Sequence, residues 1–228
     1  MAAIGPRERD APAGVSARNL RAAYLDAVDW ALGLLRDPAV ATAWQQASAL
    51  PRWRVSGLAG HLSQQVRSVR DVLAGPVPDA APIGLFEHYA RAPWVHADLD
   101  GDVNAGIRRA GDRLAADGPA AVADTVAAVA EQLRTELTAQ PPQRIVHLPW
   151  VGWSLSLDDF LTTRMMEIAV HGDDLAVSAG LDTPTLPGAV LDPVLALLSG
   201  LAVRRHGQAA LLRAFARAER APDSVVAI

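Results

Sequence analysis

Apolar residues recur at three- and four-residue intervals along most of this chain and almost nowhere alternate. Such spacing buries one stripe of a helix and leaves no inner face for a sheet. Leu20, Tyr24, Val28 and Leu32 form one stripe, in a helix over residues 16–36 that Ser16 can cap and that Asp37-Pro38 ends or kinks. A second helix starts near residues 54–56, with Ser56 as a cap in place of Arg54, and ends at Gly75 before Pro76. Residues 76–99 are Pro-rich and irregular, with a helical turn near LFEHYA, and a modest helix covers 101–116. The DGP break at 117–119 opens a long helix that Pro141-Pro142 closes. The stretch 143–156, QRIVHLPWVGWSLS, is the strand-like or loop-like part of the chain. Ser156 then caps a helix to Gly180, and two further helices follow over 188–206 and 207–219, with a short tail that can lie across the bundle. The expected fold is all-α: a flexible leader over 1–15, a four-helix bundle over 16–180 and a helical extension over 181–228.

Composition narrows the chemistry. Half of the 228 residues are apolar and 20% are charged, enough for a dry core. Charged residues or prolines interrupt every apolar run before it could span a bilayer. MAAIGPRERD carries two arginines with no apolar stretch behind them, so it reads as a leader rather than a secretory signal, and a cytoplasmic location is expected. A net charge of -4 without a basic stripe argues against nucleic acid as the main partner. Cysteine is absent, so imidazole and carboxylate are left as metal ligands, and any reacting thiol must come from a bound small molecule. All 21 basic residues are Arg, which excludes Schiff-base chemistry.

The helix after Ser156 holds Arg164, Glu167, His171 and Asp174, spaced three, four and three apart and therefore on one face. Its neighbours Leu161, Ile168, Val170, Leu175 and Val177 are apolar, which turns part of this stripe into the bundle. Four ionisable groups are costly to bury unpaired, and a bound cation explains them. Glu167 and His171 at i, i+4 can reach one ion. His61, between Leu58 and Leu62 on the second helix, can supply a third ligand from a facing element. Asp174 can accept the other ring N–H of a ligand histidine. A hydrogen-bonded core histidine and a salt-bridge ladder account for the same residues. Two histidines and a carboxylate also suit non-haem Fe(II) with oxygen.

Two segments carry a family resemblance. LPRWRVSGLAGHL resembles the W-[ST]-V-x-D-L-x-x-H-L entry to the second helix of the mycothiol-dependent maleylpyruvate isomerase family, within the DinB-like metalloenzyme superfamily. TRMMEIAVHGDDLAVSAG resembles its R-x-x-E-x-x-x-H-x-x-D-L helix. A weaker similarity spans roughly residues 16–206. The resemblance implies a DinB-like four-helix bundle whose zinc is held by His61, Glu167 and His171, with Asp174 behind a ligand histidine and Trp53 at the helix entry. It implies mycothiol as cosubstrate and a small electrophile as substrate, giving a transferase or isomerase. Arg164 pairs with Glu167 or Asp174 on this reading, or meets an anionic substrate. A non-catalytic metal- or ligand-binding bundle is the non-enzymatic alternative, and the chain acts as a monomer or homodimer. Arg54, Gly57 and Gly60 depart from the family motif. Characterised isomerases also carry a C-terminal α/β domain with a substrate-binding arginine, and Arg213, Arg217 and Arg220 here lie in no matching context.

Other residues are weaker candidates. His96 and Asp98, at i, i+2 in a Pro-flanked segment, read as a surface turn. His147, Trp150 and Trp153 can border a pocket mouth or cap the core. His88 and His206 read as surface residues. There is no Gly-rich phosphate loop, nucleophile elbow or P-loop.

Overall fold

The computed structural model describes residues 17–95 and 97–228, so the 1–15 leader, the Ser16 cap and His96 lie outside the described residues. In chain order the helices are α1 (Ala17–Leu35), α2 (Pro38–Ala43), α3 (Val55–Ala74), α4 (Leu85–Arg91), α5 (Asp102–Leu114) and α6 (Pro119–Ala139). The antiparallel hairpin β1 (Ile145–Leu148) and β2 (Trp153–Ser156) follows, pairing Val146 with Leu155 and Leu148 with Trp153. The chain then forms α7 (Leu157–Ser178), α8 (Gly188–His206) and α9 (Gln208–Ala216), with 3-10 turns at Pro93–Val95 and Ala218–Arg220. Helix α1 packs on α6 and α7, and α3 packs on the same two, closing an all-α four-helix bundle. Its interior holds Tyr24, Leu58, Leu62, Leu133, Leu137, Phe160, Leu161 and Met165 without solvent exposure beyond about 1%. Helix α8 lies on α1 and α7, and α9 on α8. Among the described residues no helix is long and apolar enough to cross a membrane.

Helix ends follow local chemistry in most places. Asp37 ends the first helix and caps α2, its carboxylate accepting from Ala39 N at 2.8 Å with Pro38 in the first turn. Ser156 caps α7, accepting from Asp159 N at 3.0 Å, and Asp158 and Asp159 sit where the helix dipole favours acids. At the far end Gly180 adopts φ +71 and Leu181 N returns to Ala176 O at 2.9 Å, a glycine C-terminal stop. The start of α3 differs from expectation. Ser56 lies in the first turn, buried, and supplies no cap; Arg54 is the N-cap residue, and its side chain makes no capping bond to the helix. The preceding loop folds back so that Val55 N donates to Gln46 O at 3.0 Å and Ser56 N to Trp44 O at 2.9 Å. Backbone carbonyls thus satisfy amides that a side chain serves elsewhere.

Gly57 and Gly60 mark where α5 crosses α3. A Cβ at Gly60 would overlap the Gly111 carbonyl of α5, and one at Gly57 would lie 2.6 Å from Asp112 Oδ1. Glycine at these two departures from the family motif lets the two backbones touch. On α7, Val170 and Val177 are exposed, 36% and 56%, rather than part of the core. They belong to the outer face, while Leu161, Ile168 and Leu175 point inward.

Candidate metal centre

Helices α3 and α7 pack together, and each turns one polar stripe into a shared cavity of about 840 Å³. His61, Gln65 and Ser68 come from α3, and Arg164, Glu167 and His171 from α7. The i, i+4 and i, i+3 steps place these groups on single faces. Helix α5 forms the opposite wall through Val103, Ile107 and Leu114, made possible by the glycine crossing. Trp53, Trp94 and Trp150 add apolar surface around the opening.

One donor atom from each of His61, Glu167 and His171 lies within 4.8 Å of the others. His171 Nε2 is 3.1 Å from Glu167 Oε2, and His61 Nε2 is 3.9 Å from the same oxygen, too long for a hydrogen bond. The two imidazoles meet edge-on with centroids 4.8 Å apart. Bonds of about 2.0–2.2 Å around a tetrahedral zinc put neighbouring ligand atoms roughly 3.3 Å apart, so the cluster is near ligand spacing. Two imidazoles and a carboxylate, with open space on the cavity side, form a donor set that fits a divalent ion.

Charge in the cluster is organised around His171. Its Nδ1 stands 3.1 Å from Asp174 Oδ2 while its Nε2 faces Glu167. Burial pulls the imidazole pKa down, but carboxylates on both nitrogens outweigh that and lift it to about 9. Burial works to raise the Glu167 carboxyl, yet the facing imidazoles and Arg164 hold it well below the usual carboxylate range. Burial lowers the His61 imidazole pKa below its ordinary value. An ion on His171 Nε2 would replace one proton there and leave Nδ1–H on Asp174, the arrangement that orients a ligand imidazole.

Of the roles expected of Arg164, the pairing with Glu167 or Asp174 is not formed. Glu167 pairs with the two histidines and Asp174 with His171, so Arg164 has no carboxylate partner among the described residues. Its Nε donates to Thr163 Oγ1 at 3.0 Å, its Nη1 to Gln65 Oε1, and its guanidinium lies over the Phe160 ring. Gln65 escaped the sequence reading, although it stands one turn after His61 on the same face. The α5 wall was also missed; its signal is the spacing Val103, Ile107, Ala110, Leu114.

The remaining candidates separate. Trp150 borders the cavity, whereas His147 is exposed and reaches Ser154 Oγ at 3.4 Å. Trp153 Nε1 donates to His88 Nδ1 at 3.0 Å. His88 is not a surface residue: it is 1% exposed, packed against Tyr89, Trp94 and Trp153, and burial pushes its pKa down to about 4. His206 is half-buried and holds the tail through Val226 O at 2.8 Å. Asp98 is exposed in a turn closed by Gly101 N on its carbonyl at 2.9 Å. Arg213, Arg217 and Arg220 are exposed and do not line the cavity, whose arginines are Arg113 and Arg164.

A four-helix bundle that gathers two imidazoles and a carboxylate in an apolar-walled cavity is, as a class, a helical protein with a candidate divalent-metal centre. Residues 10–176 match the family model of the mycothiol maleylpyruvate isomerase N-terminal domain, and the chain belongs to that family. No curated protein and no solved structure matches the chain significantly.

Proposed function

We propose that this protein is a cytoplasmic, zinc-dependent thiol enzyme. It activates a low-molecular-weight thiol, mycothiol, for transfer to a small electrophile or for thiol-assisted isomerisation of one. The observation that carries this reading is the gathering of His61, Glu167 and His171 donor atoms within 4.8 Å on the wall of a large cavity. Membership of a family described by mycothiol maleylpyruvate isomerase supports the choice of thiol.

His61, Glu167 and His171 hold the ion, and Asp174 keeps the remaining proton on His171 Nδ1 so that Nε2 is available. A divalent ion there supplies Lewis acidity that brings a thiol pKa below its free value of about 8.5 and so provides a nucleophile at neutral pH. The chain has no cysteine, so the reacting sulfur belongs to the cosubstrate. In transfer the S–H bond breaks and a C–S bond forms at the electrophilic carbon. Either a leaving group departs with its bonding pair and takes up the proton or, at an activated C=C, the π pair moves to the neighbouring carbon and is protonated there. In isomerisation the same C–S bond later breaks and the thiol is returned unchanged. Arg164, without a carboxylate partner among the described residues, offers positive charge to an anionic group on the substrate. Trp53, Trp94 and Trp150 keep the cavity wall apolar.

The test is thiol consumption by zinc-loaded protein, with mycothiol and other thiols against a panel of electrophiles. Consumption of mycothiol above the uncatalysed rate is expected; none with any pair defeats the reading. His171→Ala should abolish stoichiometric metal uptake in elemental analysis, and full retention would remove the site.

A further inference from the structure

The Gln65 carboxamide lies between the metal ligands and Arg164, and its hydrogen bonds are assigned atom by atom. A guanidinium only donates, so the amide atom facing Arg164 Nη1 is the oxygen Oε1. The NH2 group therefore faces the other way. It donates to His61 O, one turn back, at 2.9 Å and stands 3.3 Å from His61 Nε2. An amide nitrogen does not accept, so His61 Nε2 is the acceptor and the ring proton sits on Nδ1. Gln65 is 1% exposed, and Tyr24 Oη donates to its backbone carbonyl at 3.2 Å, so the residue is held in place and its carboxamide meets only the groups named here and the cavity.

His61 Nε2 is also the atom that faces Glu167. One lone pair cannot serve both an ion and an N–H. With His61 acting as a ligand, the second Gln65 N–H loses its acceptor while Arg164 still clamps Oε1. A buried donor without an acceptor is unfavourable, and Gln65 lines the cavity where substrate sits. We propose that this N–H donates to the sulfur of the thiol cosubstrate, which makes Gln65 a substrate-contacting residue and Arg164 the residue that positions it. A hydrogen bond to the charged form favours that form, so the contact favours thiolate over thiol. The assignment rests on the thiol reading above.

The full chain loaded with Co²⁺ is titrated with mycothiol, following sulfur-to-cobalt charge-transfer absorption, in the parent and in Gln65→Met. Methionine keeps the length and removes the N–H. One metal per chain is expected in both by elemental analysis, with mycothiol binding about tenfold weaker in the variant. The band should also move to lower energy, because the sulfur lone pairs lose a hydrogen bond. Unchanged affinity and band position in metal-loaded Gln65→Met overturn the assignment. Should that variant fail to fold or take up metal, Gln65→Glu is read the same way, since it keeps an acceptor for Arg164 and removes the donor. Metal loss in both variants makes Gln65 structural and overturns the proposal. A parent protein with no charge-transfer band overturns the thiol reading itself, and the assignment with it.

Discussion

Asp174 does not itself line the cavity, yet it sets the orientation of His171, which does, through a 3.1 Å contact to Nδ1. Asn at this position keeps the size and loses the charge. Asp174→Asn should therefore weaken metal binding about 10–100-fold, the usual cost of removing such a partner, measured by chelator competition. His88 makes a separate prediction about pH. Its folded pKa of about 4 lies below the ordinary imidazole value of 6.5, so above pH 6.5 both folded and unfolded chains are neutral and no stability is lost. As pH falls below 6.5 the unfolded chain takes the proton first, and stability declines until the folded imidazole titrates near 4. At about 1.4 kcal/mol per unit, the loss approaches roughly 3 kcal/mol for a residue this buried. Urea midpoints should fall over this window in the parent and fall less in His88→Gln, whose carboxamide still accepts from Trp153.

Among the elements, α5 is placed against α3 by residues with no side chain. Gly60 and Gly111 bring the α3 and α5 backbones into contact, and α5 in turn supplies one wall of the cavity. Gly60→Ala forces that wall outward against a backbone carbonyl, which cannot swing aside as a side chain can. It should cost about 1–3 kcal/mol or more, read by chemical denaturation. Gly33, exposed in the last turn of α1 with nothing within 4 Å of where a methyl group would sit, is the contrast. Gly33→Ala should stabilise by about 0.5–1 kcal/mol through helix propensity alone. Equal effects at the two sites would show that close approach is not what places α5.

Across the whole molecule, Arg21 ties three helices together. It is 6% exposed and donates from α1 to Leu137 O at 3.2 Å, Gln140 O at 2.6 Å and Pro141 O at 2.9 Å, the carbonyls at the end of α6. Its Nε also lies 3.6 Å from Asp158 Oδ1 in the first turn of α7. Arg21→Met leaves Leu137 O buried and unmatched and takes the partner from Asp158, so a loss of about 3 kcal/mol is expected. At about 2–4 °C per kcal/mol for a chain of this size, calorimetry should record a fall of roughly 10 °C.

The all-α class, the helix at Ser156 and the single face shared by Arg164, Glu167, His171 and Asp174 were legible in the sequence. Periodicity, capping and i, i+4 spacing act within one or two turns, so neighbouring residues encode them. The grouping of His61 with Glu167 and His171 was expected through two matched motifs, because nothing in local spacing says that α3 faces α7. Tertiary structure decided what depends on distant elements. Loop carbonyls start α3 in place of Ser56, Gln65 takes the Arg164 contact expected of a carboxylate, and three aromatic rings bury His88. Each reflects a partner outside the local turn, whose approach is set by packing the whole bundle rather than by any short stretch of chain.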